Sequence, residues 1–459
     1  MLAPLFPVSA ASVAGRPDFI PLTRSADISR QPNDDRERHE PWLLPSGIMA
    51  VNLTSLHEIE ADPGQSTLRV PGLGREASMT DMNAFDPSGR YVFIPHETRY
   101  GGGLSRYDIT SDRAITLFRG DGRGARGDWR HDFGSLDPAT WTPGNTLLVA
   151  EEWSGQGRVF ELLNPFVDVA GGERVRLREL EAIPNVAHEG LRFNHRGDVL
   201  YFVDENHSGS IYKFVPVVPN DYSRGQSFVL VVEAFSGAAA AAWDERINRA
   251  THRTGAAIWR PITDSSGVKL TRHDPFANDS RGGRAAADDV NGTPFGRPED
   301  IEVGRLANGH EIIYFTATAE DSVYAIEELG DDRALVRVAA DRKTPRNLGF
   351  AGTTGQLNAP DNLAQDQNGN IYILEDSPKD AGGDIWFMRD EDRDGVAESL
   401  DHFMSLRVRG AEHSGMIFRP GHPNQFVINV QHPDSTADSR NGQGDALWLI
   451  DIGGREAVK

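Results

Sequence analysis

A unit that occurs six times along the chain constrains the fold more than any other feature of the sequence. Each copy begins with an acidic residue, continues as an apolar hairpin and closes on a second polar cluster. The copies begin at Asp81, Asp132, Glu189, Glu299, Asp361 and Glu412. Repeats of this size are typical of closed or stacked arrays, in which each unit buries its apolar faces against its neighbours. A closed array would therefore bring these carboxylates together.

Within each unit the residue pattern is that of short β-strands joined by tight turns. In the third unit, residues 200–204 form an apolar run, Ser208-Gly209 is a turn signal, and residues 211–214 alternate apolar and polar side chains. Asn-Gly pairs mark the hairpin turns of other units, at 308–309 and 368–369. The sequence predicts an all-β fold, a six-bladed β-propeller with seven blades possible, as one domain over residues 1–459. Residues 1–80 are expected to supply the strand that closes the ring.

One interval between units is much longer than the others. Consecutive units start 51, 57, 110, 62 and 51 residues apart. The long interval contains residues 217–296, in which only 228–234 has a strand pattern and 238–249 has a helical one. We interpret 217–296 as an insertion between blades three and four that covers the site, or as a degenerate extra blade.

Composition limits the partners and the chemistry. The net charge is −21 and the pI about 5.1, which argues against nucleic acid and anionic membrane as partners because both bind basic surfaces. The chain has no cysteine, so disulfides and thiolate ligands are excluded. Residues 1–15 are small and apolar without a basic start, which fits the remnant of an export signal and an ordinary terminus equally well.

Strand direction predicts two concentric polar rings on one face of the propeller. The acid that opens a unit and the cluster that closes its hairpin lie on the same face, because the second strand returns to it. The inner ring comprises the six opening acids, and the outer ring draws on His96, Glu97, Glu151, Glu152, Asp204, Glu205, Glu320, Glu375, Asp376 and His432. Such crowded carboxylates repel one another unless cations neutralise them. The alternative is that the acids cap turns or pair with arginines.

A second candidate metal site lies between two strands late in the chain. Asp390, Asp392, Asp394, Glu398 and Asp401 occupy positions 1, 3, 5, 9 and 12 of the spacing of a calcium-binding loop, and glycine occupies position 6. Position 12 departs from the usual bidentate Glu. The pattern predicts a structural calcium site, against the alternative of a solvated acidic hairpin.

Three basic side chains stand next to opening acids and are candidates for catalysis. Arg297 precedes Glu299 by two residues, and its planar fork suits phosphate oxygens. His188 and His413 are adjacent to Glu189 and Glu412. Either histidine is a candidate ligand or proton donor, or it only fills a turn; Arg297 alternatively neutralises its own glutamate neighbours.

Taken in order, several short motifs resemble the PhoX family of alkaline phosphatases. They occupy residues 148–153, 188–190, 211–214, 297–299, 358–363 and 426–433. The resemblance implies an exported, periplasmic or secreted β-propeller that hydrolyses phosphate esters with a cluster of iron and calcium ions. It also implies that Glu189 and Glu299 are metal ligands and that Arg297 holds phosphate.

The chain departs from this family in one respect. The family's phosphatases bind iron through a cysteine thiolate, and Asp132 or His131 falls nearest to that place here. A carboxylate or imidazole would still bind a hard cation, so the expected cofactors are calcium plus a second hard cation, with manganese or iron favoured and magnesium possible. The expected ligands in the centre are Asp132, Glu152, Glu189, Glu299, Asp361 and Glu412.

The sequence thus predicts a metal-dependent phosphoric ester hydrolase in which metals activate a bound water. Its partner would be a small-molecule phosphate ester, with the choice between monoester and triester open. Two alternatives remain at this point: a calcium-dependent lactonase or carboxylesterase, and a non-catalytic, calcium-stabilised binding propeller. Oligomeric state is left open.

Overall fold

The computed structural model describes residues 19–28, 35–61, 80–153, 156–235, 242–243, 251–278, 282–376, 383–434 and 444–453. Residues 1–15 and most of 238–249, for which the sequence suggested an export remnant and a helix, lie outside these ranges. In the described part almost all regular structure is β. Its α-helices are short: α1 Asp35–His39, α2 Leu56–Ala61 and α3 Gly282–Asp289. None of the described helices has the length and apolar character needed to cross a bilayer.

Strands in the first half of the described chain are β1 Trp42–Leu43, β2 Met49–Ser55, β3 Ala84–Phe85, β4 Tyr91–His96, β5 Gly103–Asp108, β6 Arg113–Arg119, β7 Leu136–Trp141, β8 Leu147–Glu151, β9 Val159–Leu162, β10 Leu177–Glu179, β11 Leu191–Phe193, β12 Leu200–Val203, β13 Ile211–Val218 and β14 Asp221–Val232. Those in the second half are β15 Gly255–Pro261, β16 Pro298–Arg305, β17 Glu311–Ala317, β18 Ser322–Gly330, β19 Arg333–Asp341, β20 Pro360–Gln365, β21 Ile371–Glu375, β22 Asp384–Arg389, β23 Ser399–Leu406, β24 Glu412–Phe418, β25 Gln425–Gln431 and β26 Ala446–Asp451.

The strands form antiparallel sheets in which sequence neighbours pair. The strand orders are β3-β4-β5-β6, β10-β9-β8-β7, β11-β12-β13-β14-β15-β19-β18-β17-β16, β1-β23-β22-β21-β20 and β2-β26-β25-β24. The middle strands are apolar on both faces, as in β12, where all four residues are buried. Such strands must be covered on both sides by neighbouring sheets.

Hydrophobic cores lie between successive sheets and form a closed series. One core joins Leu148 of β8 to Phe202 of β12 and Tyr212 of β13, and another joins the last sheet to the first through Leu449 and Val92. Corresponding cores join the remaining neighbours. Because the last sheet packs on the first, the architecture is all-β and propeller-like.

An N-terminal strand completes the last sheet. β2 pairs antiparallel with β26, with Met49 opposite Asp451 and Ser55 opposite Ala446. The expectation that residues 1–80 supply the closing strand is therefore confirmed. This pairing joins the two ends of the chain and leaves β26 with a partner on each side.

The segment 217–296 contains more strand than its sequence indicated. β14 covers Asp221–Val232 and pairs along β13, and β15 links β14 to β19 across the nine-stranded sheet. The strand pattern of β14 was missed because its first half alternates through polar and glycine residues at the exposed end. Helix α3 also lies in this segment, and its Arg284 forms two 2.6 Å hydrogen bonds to Asp204.

Candidate metal centre

Innermost strands of successive sheets meet around one axis. β3, β7, β11, β16, β20 and β24 contact one another in that order, and β24 returns to β3. Each carries an acid at or just before its first residues: Asp81, Asp137, Glu189, Glu299, Asp361 and Glu412. The fold therefore brings together six carboxylates from distant parts of the chain, as the repeat predicted. One member differs from the expected set, because Asp137 takes the place of Asp132.

A β-bulge places three of these acids in equivalent positions. The register shifts between Leu136 and Ala139, between Pro298 and Ile301, and between Pro360 and Leu363. Asp137, Glu299 and Asp361 each follow the last residue before the shift. A bulge releases a residue from the ladder and re-aims its side chain. Glu189, Glu299 and Asp361 each offer a carboxylate oxygen, and these oxygens lie within 4.8 Å of one another.

A second shell of acids surrounds the first. Its members follow the second strand of their units, where the chain turns away from the axis. Together with the inner acids, one arginine and one histidine they form what we call the central cluster: Asp81, Glu97, Asp137, Glu152, Glu189, Glu205, Arg297, Glu299, Asp361, Asp376, Glu412 and His432. Ten carboxyl groups thus face two basic side chains.

Burial and mutual repulsion oppose ionisation of most of these acids when no cation is present. Glu412 is an exception, because, although burial opposes this, His432 lowers its pKa. Burial, and after it the charges of Glu97 and Glu412, raise the pKa of Asp81 well above its usual value. Burial, followed by Glu299 and Asp361, does the same for the pKa of Glu189. The repulsion is mutual, because after burial the charge of Glu205 contributes most to the raised pKa of Glu299.

Several oxygens of the cluster have no protein partner. Both carboxylate oxygens of Asp137 and one of Asp81 are buried without a hydrogen bond. An unpartnered buried carboxylate is costly in a folded protein. Hard cations prefer carboxylate oxygens as ligands, so the donor set fits calcium, magnesium, manganese or iron ions.

Arg297 lies inside the cluster. Its Nε is 2.5 Å from Glu205 and 2.9 Å from Glu299, and its Nη1 is 3.5 Å from Asp376. The residue has a left-handed backbone, with φ of 61°, and its amide donates to the carbonyl of Asn206. A non-glycine residue in this region is uncommon. Its side chain is 37 % exposed, so one edge of the guanidinium remains accessible.

His432 is the second basic residue of the cluster. Its Nε2 lies 2.6 Å from Glu412 and its Nδ1 2.7 Å from the Gly410 carbonyl. Although burial opposes the charge, Glu412 raises the pKa of His432 to about 10. The pair is therefore an imidazolium–carboxylate pair at neutral pH.

Asp132 does not lie in the cluster, contrary to its assignment as a ligand. Its carboxylate accepts hydrogen bonds from the amides of Gly101, Gly122 and Gly124, at 2.8, 3.0 and 2.7 Å. These bonds satisfy both oxygens and close the loop that precedes β7. Asp137 takes the position on the axis instead.

A backbone signal in the sequence could have identified Asp137. A residue with positive φ stands eight positions after each of four opening acids: Gly89 after Asp81, Asn145 after Asp137, Gly197 after Glu189 and Gly369 after Asp361. Counting back from the turn Thr142-Pro-Gly-Asn145 selects Asp137. Asp132 stands 13 positions before Asn145, too far from the turn for the same register.

His188 and His413 pack inside the sheets. His188 Nε2 lies 3.1 Å from the Pro184 carbonyl, and its ring lies against Phe202. His413 Nε2 accepts from the Glu375 amide. Burial lowers the pKa of His188 to about 3 and that of His413 to about 4, so both are neutral. Neither lies in the central cluster, because each side chain points to the opposite side of the strand from its acidic neighbour.

The residues predicted for the outer ring also alternate in the direction of their side chains. Glu97, Glu152, Glu205, Asp376 and His432 join the cluster, whereas the residues next to them support it from outside. His96 is hydrogen-bonded to Ser105, and Glu375 accepts from the Trp386 indole. Glu151 pairs with Arg158, and Asp204 pairs with Arg284. Glu320 pairs with the buried Arg253 at 2.8 Å.

The acidic loop after β22 gathers only part of its predicted set. Asp390, Asp392 and Glu398 offer oxygens within 4.8 Å of one another, while Asp394 caps the turn at the Val396 amide. Asp401 is buried in β23 and bonded to Arg389 at 2.9 Å. It does not reach the loop, because a strand rather than a helix follows position 9.

Comparison with known proteins identifies similar sequences and folds. A family model described as alkaline phosphatase PhoX matches residues 144–434. No curated protein sequence matches the chain significantly.

Among solved structures, Pseudomonas fluorescens PhoX in complex with vanadate, a transition state analogue, superposes with a TM-score of 0.63 and 15% identity over 95% of this chain and 99% of that one. A catalytically inactive Staphylococcus aureus virginiamycin B lyase with quinupristin has a TM-score of 0.43 and 8% identity, over 88% and 99%. A Xanthomonas campestris gluconolactonase has a TM-score of 0.39 and 10% identity, over 95% and 98%.

Proposed function

The chain belongs to the PhoX alkaline phosphatase family, and we propose that it hydrolyses phosphate esters with metal ions held by the central cluster. The observation that carries this proposal is the buried carboxylate of Asp137, both of whose oxygens lack a partner, beside the convergent oxygens of Glu189, Glu299 and Asp361. Cations are the groups that such a donor set is built to bind.

In the proposed site the protein's own groups divide the work between cation binding and phosphate binding. Glu189, Glu299 and Asp361 would hold one cation, and Asp81 and Asp137 with the outer acids would hold others. When bound, these ions polarise a phosphoryl oxygen and lower the pKa of a water. Calcium with manganese or iron is the pairing that we propose, with magnesium as the alternative to the second ion.

Arg297 is the residue that we propose to contact the phosphoryl group. Its guanidinium is planar and has several donors, so it can bind two phosphate oxygens while it remains paired with Glu205 and Glu299. Those carboxylates and the left-handed backbone hold the group in place before substrate arrives. Preorganised donors stabilise charge that develops in the transition state.

His432 replaces His188 and His413 as the histidine that we propose to act in the site. Its proton is held at Nε2 against Glu412, and this pair lies on the side of Asp376 and Glu97. Because both ring nitrogens already have partners, the imidazolium would act by orienting Glu412 and by adding positive charge to the site. The two other histidines keep their packing roles.

The finer points of architecture belong to the same proposal. We propose six blades, with the nine-stranded sheet containing the third and fourth, and the remainder of 217–296 beyond β14 inserted between them. The contact of Arg284 with Asp204 places α3 next to a residue that supports the cluster. We also propose that the protein is exported and acts on small-molecule esters in the periplasm or outside the cell.

A combined metal and substrate assay tests this function. Purified protein is measured for elemental content and then assayed with a phosphomonoester, a phosphotriester and a lactone before and after chelation. We expect at least two tightly bound ions per chain beyond one for the loop at Asp390, with phosphate ester hydrolysis that chelation abolishes. Hydrolysis of the lactone alone, or inertness to all three with the metals retained, would contradict the proposal.

Substitution of a central glutamate links the activity to the cluster. Glu299→Gln should lower kcat on the preferred phosphate ester by about 100-fold or more, because it removes a charge on which cations and Arg297 converge. The control is Glu40→Gln, an exposed glutamate paired with Arg407 at the surface, which should keep wild-type activity. Unchanged turnover in Glu299→Gln would contradict the proposal that the central cluster is the active site.

A further inference from the structure

Three aromatic residues form a partly exposed group beside the central cluster. Trp129 and Trp153 have ring centroids 5.2 Å apart, and Tyr100 lies 5.6 Å from Trp129 and 5.8 Å from Trp153. All three side chains retain some solvent exposure. We call them the aromatic rim cluster.

Chain connectivity fixes this cluster next to the metal centre. Trp153 directly follows Glu152, and Tyr100 stands three residues after Glu97. Within the central cluster burial raises the pKa of Glu152, and the charge of Glu97 contributes to this rise. Consecutive Cα atoms are about 3.8 Å apart. The aromatic rim cluster is therefore carried in part by the two chain segments that also carry Glu97 and Glu152.

The surrounding loop is built to hold the rings in place. The carboxylate of Asp132 binds the amides of Gly101, Gly122 and Gly124 and so closes the loop that carries Trp129. A Cβ atom at Gly134 would lie 3.1 Å from both indoles, so a larger residue there would require the rings to move by a few tenths of an ångström. A surface ordered in advance loses little entropy when a ligand binds.

Arg99 adds a cation to the aromatic rim cluster. Its guanidinium carbon lies 5.7 Å from the Tyr100 ring and 5.9 Å from the Trp153 ring. The side chain is exposed, and among the described residues it forms no ion pair. In a chain of net charge −21, an unpaired guanidinium beside the centre attracts an anionic substrate towards it.

We propose that the aromatic rim cluster binds the leaving group of the substrate, and that the preferred substrates are phosphate esters of flat aromatic groups. Stacking of a ring on Trp153 or Tyr100 suits both an aryl alcohol and a nucleobase, because each has an aromatic face. Arg99 stacks at the edge of the same site and faces the substrate's negative charge. This inference rests on the proposed phosphatase function and names its substrate class.

Substrate selectivity tests the proposal. We would measure kcat/KM for 4-nitrophenyl phosphate, adenosine monophosphate and glycerol 2-phosphate. For each variant, kcat/KM for an aromatic ester is divided by kcat/KM for glycerol 2-phosphate, and this ratio is compared with that of the wild type. The comparison cancels the intrinsic reactivity of the leaving groups. Trp153→Ala should lower this relative ratio by about tenfold, mostly through KM, since stacking stabilises the bound ring. Trp153→Phe should restore most of it, and Tyr100→Ala should act in the same direction.

Control variants separate this role from folding. Phe166 is an aromatic residue with 51 % exposure that packs on Tyr91 and Trp141, and Phe166→Ala should keep the wild-type ratio. Thermal melts of all variants report any loss of structure. A fall for 4-nitrophenyl phosphate alone assigns the cluster to aryl esters, and a fall for adenosine monophosphate as well assigns it to nucleotides.

Two results would overturn the inference. The first leaves the proposed phosphatase function standing, and the second contradicts it as well. If the wild type hydrolyses all three esters but Trp153→Ala and Tyr100→Ala leave the ratios unchanged or slow every ester equally, the cluster has only a packing role and the phosphatase function stands. If the metal-loaded wild type hydrolyses none of the three, the proposed function fails and the inference fails with it.

Discussion

At the scale of single residues, the position of a carboxylate relative to the strand decides its role. Asp132 and Asp137 are five positions apart in one unit, yet the first binds backbone amides and the second has two unpartnered oxygens. Similarly, Glu151 pairs with Arg158 while Glu152 joins the central cluster. Alternation along an extended chain sends neighbouring side chains to opposite sides, so adjacent acids can have unrelated functions.

Matched substitutions of the two aspartates test this distinction. Asp137→Asn should lower the number of bound metal ions and the turnover, with little loss of thermal stability, because it removes charge from an unpartnered carboxylate. Asp132→Asn should keep the metal content but lower the free energy of unfolding by about 1–3 kcal/mol, since an amide NH₂ would face backbone donors. Elemental analysis and denaturant unfolding measure the two effects. Loss of metal in Asp132→Asn with none in Asp137→Asn would reverse the assignment.

At the scale of elements, the acidic loop between β22 and β23 behaves as a unit separate from the centre. Asp390 accepts the amides of Asp394 and Gly395, at 3.1 and 2.8 Å, and Gly395 has φ of 86°. Burial raises the pKa of Asp390 to about 6 when no cation is present. A cation at Asp390, Asp392 and Glu398 would relieve this cost, which supports a structural role for the loop.

Substitution within the loop should separate its ion from those of the centre. We expect Asp390→Asn combined with Asp392→Asn to lower the calcium content by one equivalent per chain and to leave hydrolysis intact. Asp401→Asn serves as the comparison: it should keep that calcium but destabilise the protein by about 1–3 kcal/mol, because the buried Arg389 would keep only the exposed Glu391, at 3.3 Å, as a charged partner. An unchanged calcium content in the double variant would show that the loop binds no ion.

The bulges of β7, β16 and β20 are the elements that a pattern of apolar residues does not reveal. An apolar run predicts β12, and period-two alternation predicts the start of β13. It fails at Leu136–Ala139, where an irregular ladder shifts the register, and in β14, where polar and glycine residues alternate at an exposed end. In both places a long-range pairing overrides the local pattern.

For the molecule as a whole, the concentration of carboxyl groups at the axis links metal binding to pH-dependent stability. Burial, together with nearby carboxylates, raises the pKa of Glu97 and Glu299 to about 7 and that of Asp376 to about 8. Their ordinary values are 4.5 for Glu and 3.8 for Asp. In the metal-free protein, these groups therefore contribute stability below about pH 4 that is lost as the pH rises through 7 to 8.

We therefore expect the melting temperature of the chelated protein to fall as the pH is raised from about 5 to about 8. Bound cations take the place of the protons, so the metal-loaded protein should show a much smaller fall over the same range. Thermal unfolding of both forms in parallel measures the difference and cancels contributions from groups outside the cluster. A chelated protein that gains stability over this range, relative to the metal-loaded form, would contradict the assignment of the site.

The sequence by itself determined the repeated β-units, the closing of the ring by residues before 80, the acids at the start of most units and the resemblance to PhoX, because these depend on local periodicity and composition. Only the tertiary structure decided which acid of a pair faces the axis, that His432 rather than His188 or His413 joins the cluster, and that Asp401 pairs with Arg389. Those choices depend on bulges and on contacts between strands far apart in the chain, which no local pattern encodes.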